Sequence, residues 1–203
     1  MSTENSRTMT PTRKMHGDAS AAQRWKKWII LIFAVMIAVA VINAYMTNRR
    51  PWLPDEVAGV TTYSGLSNEI VDGPVDYDML PPAGGPHAEL AQLCGFYRVP
   101  VEDENVVASL ATGAVWVTHD PDISEADYEI LRDMVEGEYD VLLTPYPGLE
   151  HEFVLTAWER QLALDDVHDE RAELFVHVYQ NRDWAPNVDD SCSAGVGLPA
   201  PTP

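Results

Sequence analysis

The longest apolar run in the chain extends from Trp28 to Met46 and contains no charged residue. At a rise of about 1.5 Å per residue, a helix of this length reaches roughly the 30 Å of a bilayer's hydrocarbon core. Basic residues bound the run at both ends, as is typical of membrane spans: Lys26, Lys27, Arg49 and Arg50. The pattern predicts one transmembrane helix over residues 25–48.

The polar and apolar pattern after this run predicts a small α+β domain. Two helices are indicated: one is capped by Ser124 and ends at Gly137, and the other begins after Asp169. Short buried runs between and before them predict strands at 106–107, 114–118, 141–144 and 153–158. This order of elements predicts a sheet with the two helices on one face.

Composition predicts how the rest of the chain is organised. The first residues are polar and lack an apolar period, which predicts a disordered tail, and the prolines that follow the span predict a stiff linker. The predicted organisation is a disordered cytoplasmic tail (1–24), a transmembrane helix (25–48), a linker or stalk (49–74), an extracytoplasmic domain (75–184) and a C-terminal tail (185–203).

The charges around the apolar run predict its orientation. Six basic residues and two acidic residues precede the run, so the positive-inside bias places the N-terminus in the cytoplasm and the domain outside. The alternative is a cleaved signal peptide with Ala38-Val39-Ala40 as its cleavage site. The long leader, and an apolar run that continues to Met46, favour an uncleaved anchor.

The part of the chain beyond the helix is strongly acidic. It carries 30 acidic residues against seven arginines, and it has no lysine. Such a surface repels nucleic acid and anionic lipid headgroups. It could steer a basic partner or a cation, or it could serve solubility alone.

The chain has two cysteines, Cys94 and Cys192, and both lie on the side that the charges place outside the cytoplasm. An oxidising compartment favours a disulfide between them, which would tie the C-terminal tail to the domain. The alternative is two buried, unpaired cysteines.

Familiar catalytic motifs are absent from the sequence, which contains no G-x-S-x-G, P-loop, G-x-G-x-x-G or H-E-x-x-H pattern. No catalytic residue and no cofactor is predicted. Two histidines are weak candidates for a metal site: His87, which follows a Pro/Gly-rich loop, and His119, which ends a strand beside Asp120. A structural role is the simpler interpretation of each.

Several motifs together resemble an actinobacterial family of single-anchor, extracytoplasmic proteins known as domain of unknown function 3105. The resemblance covers residues 75–192 and rests on the loop Pro81–His87, Cys94-Gly95, Gly113–Trp116, Pro145–Leu149, Thr156–Trp158 and Cys192. It implies a location outside the cytoplasm, a pair of cysteines and a compact domain. It implies no established activity.

One motif departs from that family. Its members typically carry the sequence H-S-L-E-H-G where this chain has Ala108-Ser109-Leu110-Ala111-Thr112-Gly113. The two histidines and the glutamate of that cluster resemble a metal or catalytic site. Their replacement would leave His87 as one isolated ligand, and one imidazole does not hold a metal ion.

These observations predict a non-catalytic, membrane-anchored accessory protein. Its expected partners are other membrane or extracytoplasmic proteins, and a respiratory (cytochrome) supercomplex, with its basic electron carrier, is one assembly that would fit. The alternative is a copper- or zinc-binding or redox domain with a rearranged site that includes His87 and His119. A hydrolase ranks last, because no nucleophile–base pair is visible.

Overall fold

The computed structural model describes residues 19–48, 53–188 and 190–200. These residues fall into two compact units, an N-terminal helix and the domain that follows it. The N-terminal helix, α1, spans Ala19–Asn48. It therefore begins within the segment predicted to be disordered, where alanines are good helix formers. Residues 1–18 of that predicted tail lie outside the described residues.

Within α1, the stretch Trp25–Asn43 is long and apolar enough to cross a membrane or to act as a signal sequence. Its large apolar side chains are exposed, as those of Trp28 and Phe33 illustrate. A helix that is apolar on all sides has no polar face to turn toward water.

The domain is built on a six-stranded mixed sheet with the strand order β1-β6-β5-β3-β4-β2. Strands β2, β3 and β4 are parallel to one another, and β5, β6 and β1 continue the sheet in antiparallel pairs. The strands span Thr61–Thr62 (β1), Gly95–Phe96 (β2), Val115–His119 (β3), Val141–Pro145 (β4), Phe153–Ala157 (β5) and Arg160–Leu164 (β6).

Two helices pack on one face of this sheet, as the sequence predicts. They are α3 (Glu125–Val135) and α4 (Glu170–Tyr179), and both contribute to one hydrophobic cluster with the strands. The predicted cap of α3 is present: the backbone N–H of Asp127 donates to the Ser124 hydroxyl over 3.1 Å.

The opposite face is covered by a helix that the sequence analysis missed. Helix α2 spans Asp103–Ala111, so the prediction of a strand at Val106-Val107 is wrong. Six consecutive residues of α2, from Val106 to Ala111, are buried. Because this helix is covered on nearly all sides, its apolar residues show no 3.6-residue period, and a short apolar run reads equally well as a strand.

The domain also includes parts of both flanking segments. Val57 is buried and donates its N–H to the Tyr179 hydroxyl over 3.2 Å, and β1 follows at Thr61–Thr62, so the predicted linker ends well before residue 74. At the other end, the N–H of Ala200 donates to the Phe96 carbonyl over 2.7 Å. Residues this close to the sheet edges are held by backbone hydrogen bonds, which leave no periodic sequence signal.

The two cysteines lie at disulfide distance, as the sequence predicts. The Cα atoms of Cys94 and Cys192 are 5.5 Å apart, and the bond joins residues separated by 98 positions. Cys192 is fully buried among the residues that pack with α2. The bond therefore fastens the C-terminal segment to the α2 face of the sheet.

Candidate functional site

His87 is buried, and each of its ring nitrogens lies within hydrogen-bond distance of an oxygen. Its Nδ1 lies 2.7 Å from the Ala88 carbonyl oxygen and its Nε2 lies 2.9 Å from the Asn68 side-chain oxygen. The imidazole is 2 % exposed and meets the ring of Trp158 edge-on, at 6.3 Å between centroids. Because both ring nitrogens already have partners, a metal ion could bind His87 only if one of these contacts broke.

A cavity lies beside His87. Ala108 and Thr112 line the same cavity of about 450 Å³ as His87. The Thr112 hydroxyl is occupied by donation to the Ser109 carbonyl at 2.8 Å. His87 is the one imidazole among the residues that line this cavity.

His119 lies at the end of β3, on the other face of the sheet. Its ring packs edge-on against Tyr128 of α3, with 5.3 Å between centroids, whereas His87 packs against Trp158 on the α2 side. The structure therefore does not bring the two candidate metal ligands together. The Nδ1 of His119 lies 2.8 Å from the Asp120 carbonyl oxygen, and burial lowers the pKa of this imidazole.

An ion pair lies next to this histidine. The Arg98 guanidinium stacks on the Tyr128 ring, 3.8 Å from its centroid, and donates to both carboxylate oxygens of Glu125 over 3.0 and 3.2 Å. Arg98, Glu125, Tyr128 and His119 line one cavity of about 350 Å³ with residues from three loops. Sequence reasoning missed this site because its members are far apart in the chain and share no motif.

The α2 face holds a partly buried carboxyl group. The Tyr146 hydroxyl donates to the Asp103 carboxylate over 2.9 Å, and the Tyr146 ring packs edge-on against Trp116. Burial raises the pKa of Asp103 to about 6; the hydrogen bond from Tyr146 opposes this rise, and repulsion from Glu104 adds to it. Burial and the nearby carboxylate also raise the pKa of Tyr146.

This raised pKa predicts a pH-dependent stability that Asp103→Asn should remove. The folded pKa of about 6 lies above the ordinary value of 3.8, so the contribution is fully present below pH 3.8 and is lost as the pH rises through 6. We expect the variant, at pH 7.5, to gain about 1 kcal/mol in unfolding free energy, a value reduced for solvent screening. Chemical denaturation between pH 4 and 8 checks this, with Asp78→Asn as an exposed control; parallel profiles for Asp103→Asn and wild type would contradict it.

A cleft lined with carboxylates lies where β3, β5 and β6 approach the start of α3. It has a volume of about 400 Å³, and its acidic residues are Asp120, Asp122, Asp127, Glu150, Glu152 and Asp165. The one basic group among its lining residues is His151, whose Nδ1 lies 3.0 Å from Asp165. Carboxylates this close together favour the approach of a cation or of a basic side chain.

The disulfide has a carboxylate beside it. The Cys192 sulfur lies 3.6 Å from an Asp140 oxygen, and the ligand atoms of Cys94, Asp140 and Cys192 all lie within 4.8 Å of one another. Metal binding by cysteine requires the thiolate. Two sulfurs that are bonded to each other cannot supply it.

Comparison with known proteins gives one match. A family described as "Protein of unknown function (DUF3105)" matches residues 70–194. No curated protein and no solved structure matches the chain. The match includes His87, His119, Asp103 and both cysteines, so each site described above lies within it.

Proposed function

Since this chain belongs to the DUF3105 family, whose description names no activity, we propose a function from its own charges and contacts. The protein is a non-catalytic accessory subunit, held in the cytoplasmic membrane by α1, whose acidic domain lies outside the cytoplasm. The domain binds a basic region of other proteins in a membrane complex. A respiratory supercomplex, in which it would help to recruit a basic electron carrier, is the assembly we favour.

The observation that carries this proposal is the uncompensated negative charge of the domain. The arginine ion pairs within the described domain involve four carboxylates, Glu125, Glu129, Asp133 and Asp169. The acidic residues beyond α1 number 30, so most of their charge is available to a partner. The cleft beside His151 concentrates six of them.

Long-range attraction of this kind raises association rates and selects basic partners. Its strength falls with ionic strength, because the Debye length is about 10 Å at 0.1 M salt and shorter above it. The histidine contacts support a binding role over a metal-dependent one. His87 has both nitrogens engaged, and His119 lies on the other face of the sheet.

Neutralising the cleft is expected to weaken partner binding. In Asp122→Asn/Glu150→Gln/Glu152→Gln, we expect severalfold less partner to co-purify with the full chain from native membranes, because the local field is lost. The matched control, Asp72→Asn/Asp76→Asn/Asp78→Asn, makes the same change in net charge at exposed positions elsewhere. The measurement is quantitative mass spectrometry after blue-native electrophoresis, at 50 and 300 mM salt.

Two outcomes would contradict the proposal. If wild type migrates only as a monomer and retains no partner at 50 mM salt, the protein is not a subunit of a complex. If the cleft triple variant and the control lose equal amounts of partner, binding depends on the total charge of the domain and not on the cleft.

The orientation has its own test. With an epitope tag after Pro203, protease added to intact spheroplasts should remove the tag and the domain, because positive charges hold the N-terminal side in the cytoplasm. A tag between Met1 and Ser2 should survive under the same conditions and serves as the control. Survival of the C-terminal tag until the spheroplasts are lysed would show the opposite orientation.

A further inference from the structure

Residues 192–200 cover the outer edge of the sheet at β2, and we call them the strap. The N–H of Val196 donates to the Ala91 carbonyl, and the Val196 carbonyl accepts from the N–H of Leu93, both over 2.7 Å. A third backbone hydrogen bond reaches the Phe96 carbonyl. The strap therefore lies along the edge as a parallel strand would, and it covers backbone groups that would otherwise be open to pairing with another chain.

The fit between the strap and this edge requires glycine. A Cβ atom at Gly195 would overlap the backbone carbonyl of Ala91, which is fixed by the pairing just described. A Cβ atom at Gly197 would overlap the side chain of Gln92, which is buried. A segment that takes the strap's place must carry glycine at both positions and a cysteine three residues before the first, and a second copy of this chain supplies all three.

Apart from the disulfide, little holds the strap in place. Cys192 is the one fully buried side chain in it, and its other side chains are half-buried or exposed. Segments with few buried apolar contacts are those that open locally. The connection to the rest of the domain is short, since only residues 188–191 separate Cys192 from Asn187, whose N–H donates to the Ala111 carbonyl. Short hinge loops invite the exchange of a segment between chains.

We propose that the strap exchanges between two copies of this chain while the bond between Cys94 and Cys192 is open. The strap of each copy then pairs with the β2 edge of the other, and oxidation joins Cys94 of one copy to Cys192 of the other. Exchange of an identical element preserves the native contacts and is a low-cost route to a dimer. The strap carries no charged residue, so its pairing with a second acidic domain meets no repulsion of its own. The proposal does not depend on the carboxylate cleft of the proposed function.

A dithiol is the reductant that opens the bond. One of its thiolates attacks the sulfur of Cys94, which lines a cavity of about 450 Å³, and Cys192 leaves as a thiolate that takes up a proton. The second thiol of the reductant then displaces Cys94, so the reductant becomes a disulfide and both cysteines become thiols. Glutathione disulfide reverses the change: it accepts the two electrons, one S–S bond forms between Cys94 and Cys192, and two molecules of glutathione are released.

Isotope labels distinguish exchange from closure within one chain. Equal amounts of ¹⁵N-labelled and unlabelled full-length wild type, in detergent micelles at 300 mM salt to screen the repulsion between domains, are reduced with dithiothreitol, mixed and reoxidised with glutathione disulfide. Mass spectrometry of a proteolytic digest then measures the disulfides that join a labelled peptide to an unlabelled one. Among these mixed links, we expect Cys94–Cys192 to exceed Cys94–Cys94 and Cys192–Cys192 together by about tenfold, because the paired strap holds its thiol beside Cys94 at an effective concentration of roughly mM. A sample mixed without reduction is the control and should contain no mixed links.

Wild type alone decides the question. The absence of mixed links after reoxidation, or similar amounts of the three kinds, would overturn the proposal. Gly195→Ala tests the fit of the strap to the edge: the preference for Cys94–Cys192 links should disappear, since the added Cβ overlaps Ala91. Leu198→Ala is the matched control within the strap, and because Leu198 is 91 % exposed the preference should remain. A preference that persists in Gly195→Ala would show that the thiols meet without the strap on the edge, and it would overturn the proposal as well.

Discussion

Replacing both Cys94 and Cys192 by alanine is expected to lower the free energy of unfolding of the domain by about 3–5 kcal/mol. The bond closes a loop between residues separated by 98 positions. On the chain-entropy model, a loop of about 100 residues is worth roughly 4.7 kcal/mol, because the cross-link restricts the unfolded chain. Alanine is the suitable replacement because Cys192 is fully buried and alanine adds no polar group there.

The measurement is urea denaturation of the full chain followed by circular dichroism. Wild type that has been reduced before the titration is the matched control, and its transition should coincide with that of the double variant. Cys94 lines a surface cavity, so a reductant can reach the bond. A loss below 1 kcal/mol would show that native packing alone holds the C-terminal segment in place.

Trp116→Ala is expected to cost about 3–5 kcal/mol, the range for removing a large aromatic side chain from a core. Trp116 is fully buried and is the second residue of β3. Its indole N–H donates to the Thr144 hydroxyl over 2.8 Å, and its ring packs edge-on against Tyr146. The variant would therefore lose packing and also leave Thr144 without its donor.

Trp184→Ala is the matched control in the same denaturation experiment. Trp184 is 41 % exposed, and its ring lies 5.6 Å from the Arg160 guanidinium carbon. Its removal should cost less than about 1 kcal/mol, as expected for an exposed cation–π contact. Similar losses for the two variants would mean that the α2 face of the sheet does not form a tightly packed core.

The elements with a clear period or cap could be predicted from the sequence. Helix α3 shows both its cap at Ser124 and its apolar stripe, and strands β3, β4 and β5 are short apolar runs. Strand β6 was missed because the turn before it has no glycine; Glu159 adopts the positive φ of 59° that a hairpin usually assigns to glycine or asparagine. The two-residue strands β1 and β2 are too short to leave a pattern.

The candidate site was harder to predict, because it depends on which face of the sheet a residue occupies. The sequence makes both His87 and His119 weak candidate metal ligands. Only the folded ring contacts show that His87 packs against Trp158 on the α2 side and His119 against Tyr128 of α3. The cavity beside His119 joins Arg98 and Pro121, which lie in separate loops, and Pro145, the last residue of β4. No local spacing in the sequence predicts that these residues line one cavity.

The position of Cys192 in the chain determines when the domain can form its disulfide and finish folding. Residues 192–200 supply the partner of Cys94 and close the edge of the sheet at Phe96, yet they are synthesised after every helix and strand that they secure. A ribosome adds about 5–20 residues each second, so at least several seconds pass between the synthesis of Cys94 and that of Cys192. During that interval the thiol is open to reaction with oxidants or with other disulfides. Maturation of this protein therefore depends on the synthesis of residues 192–200 before a wrong bond forms.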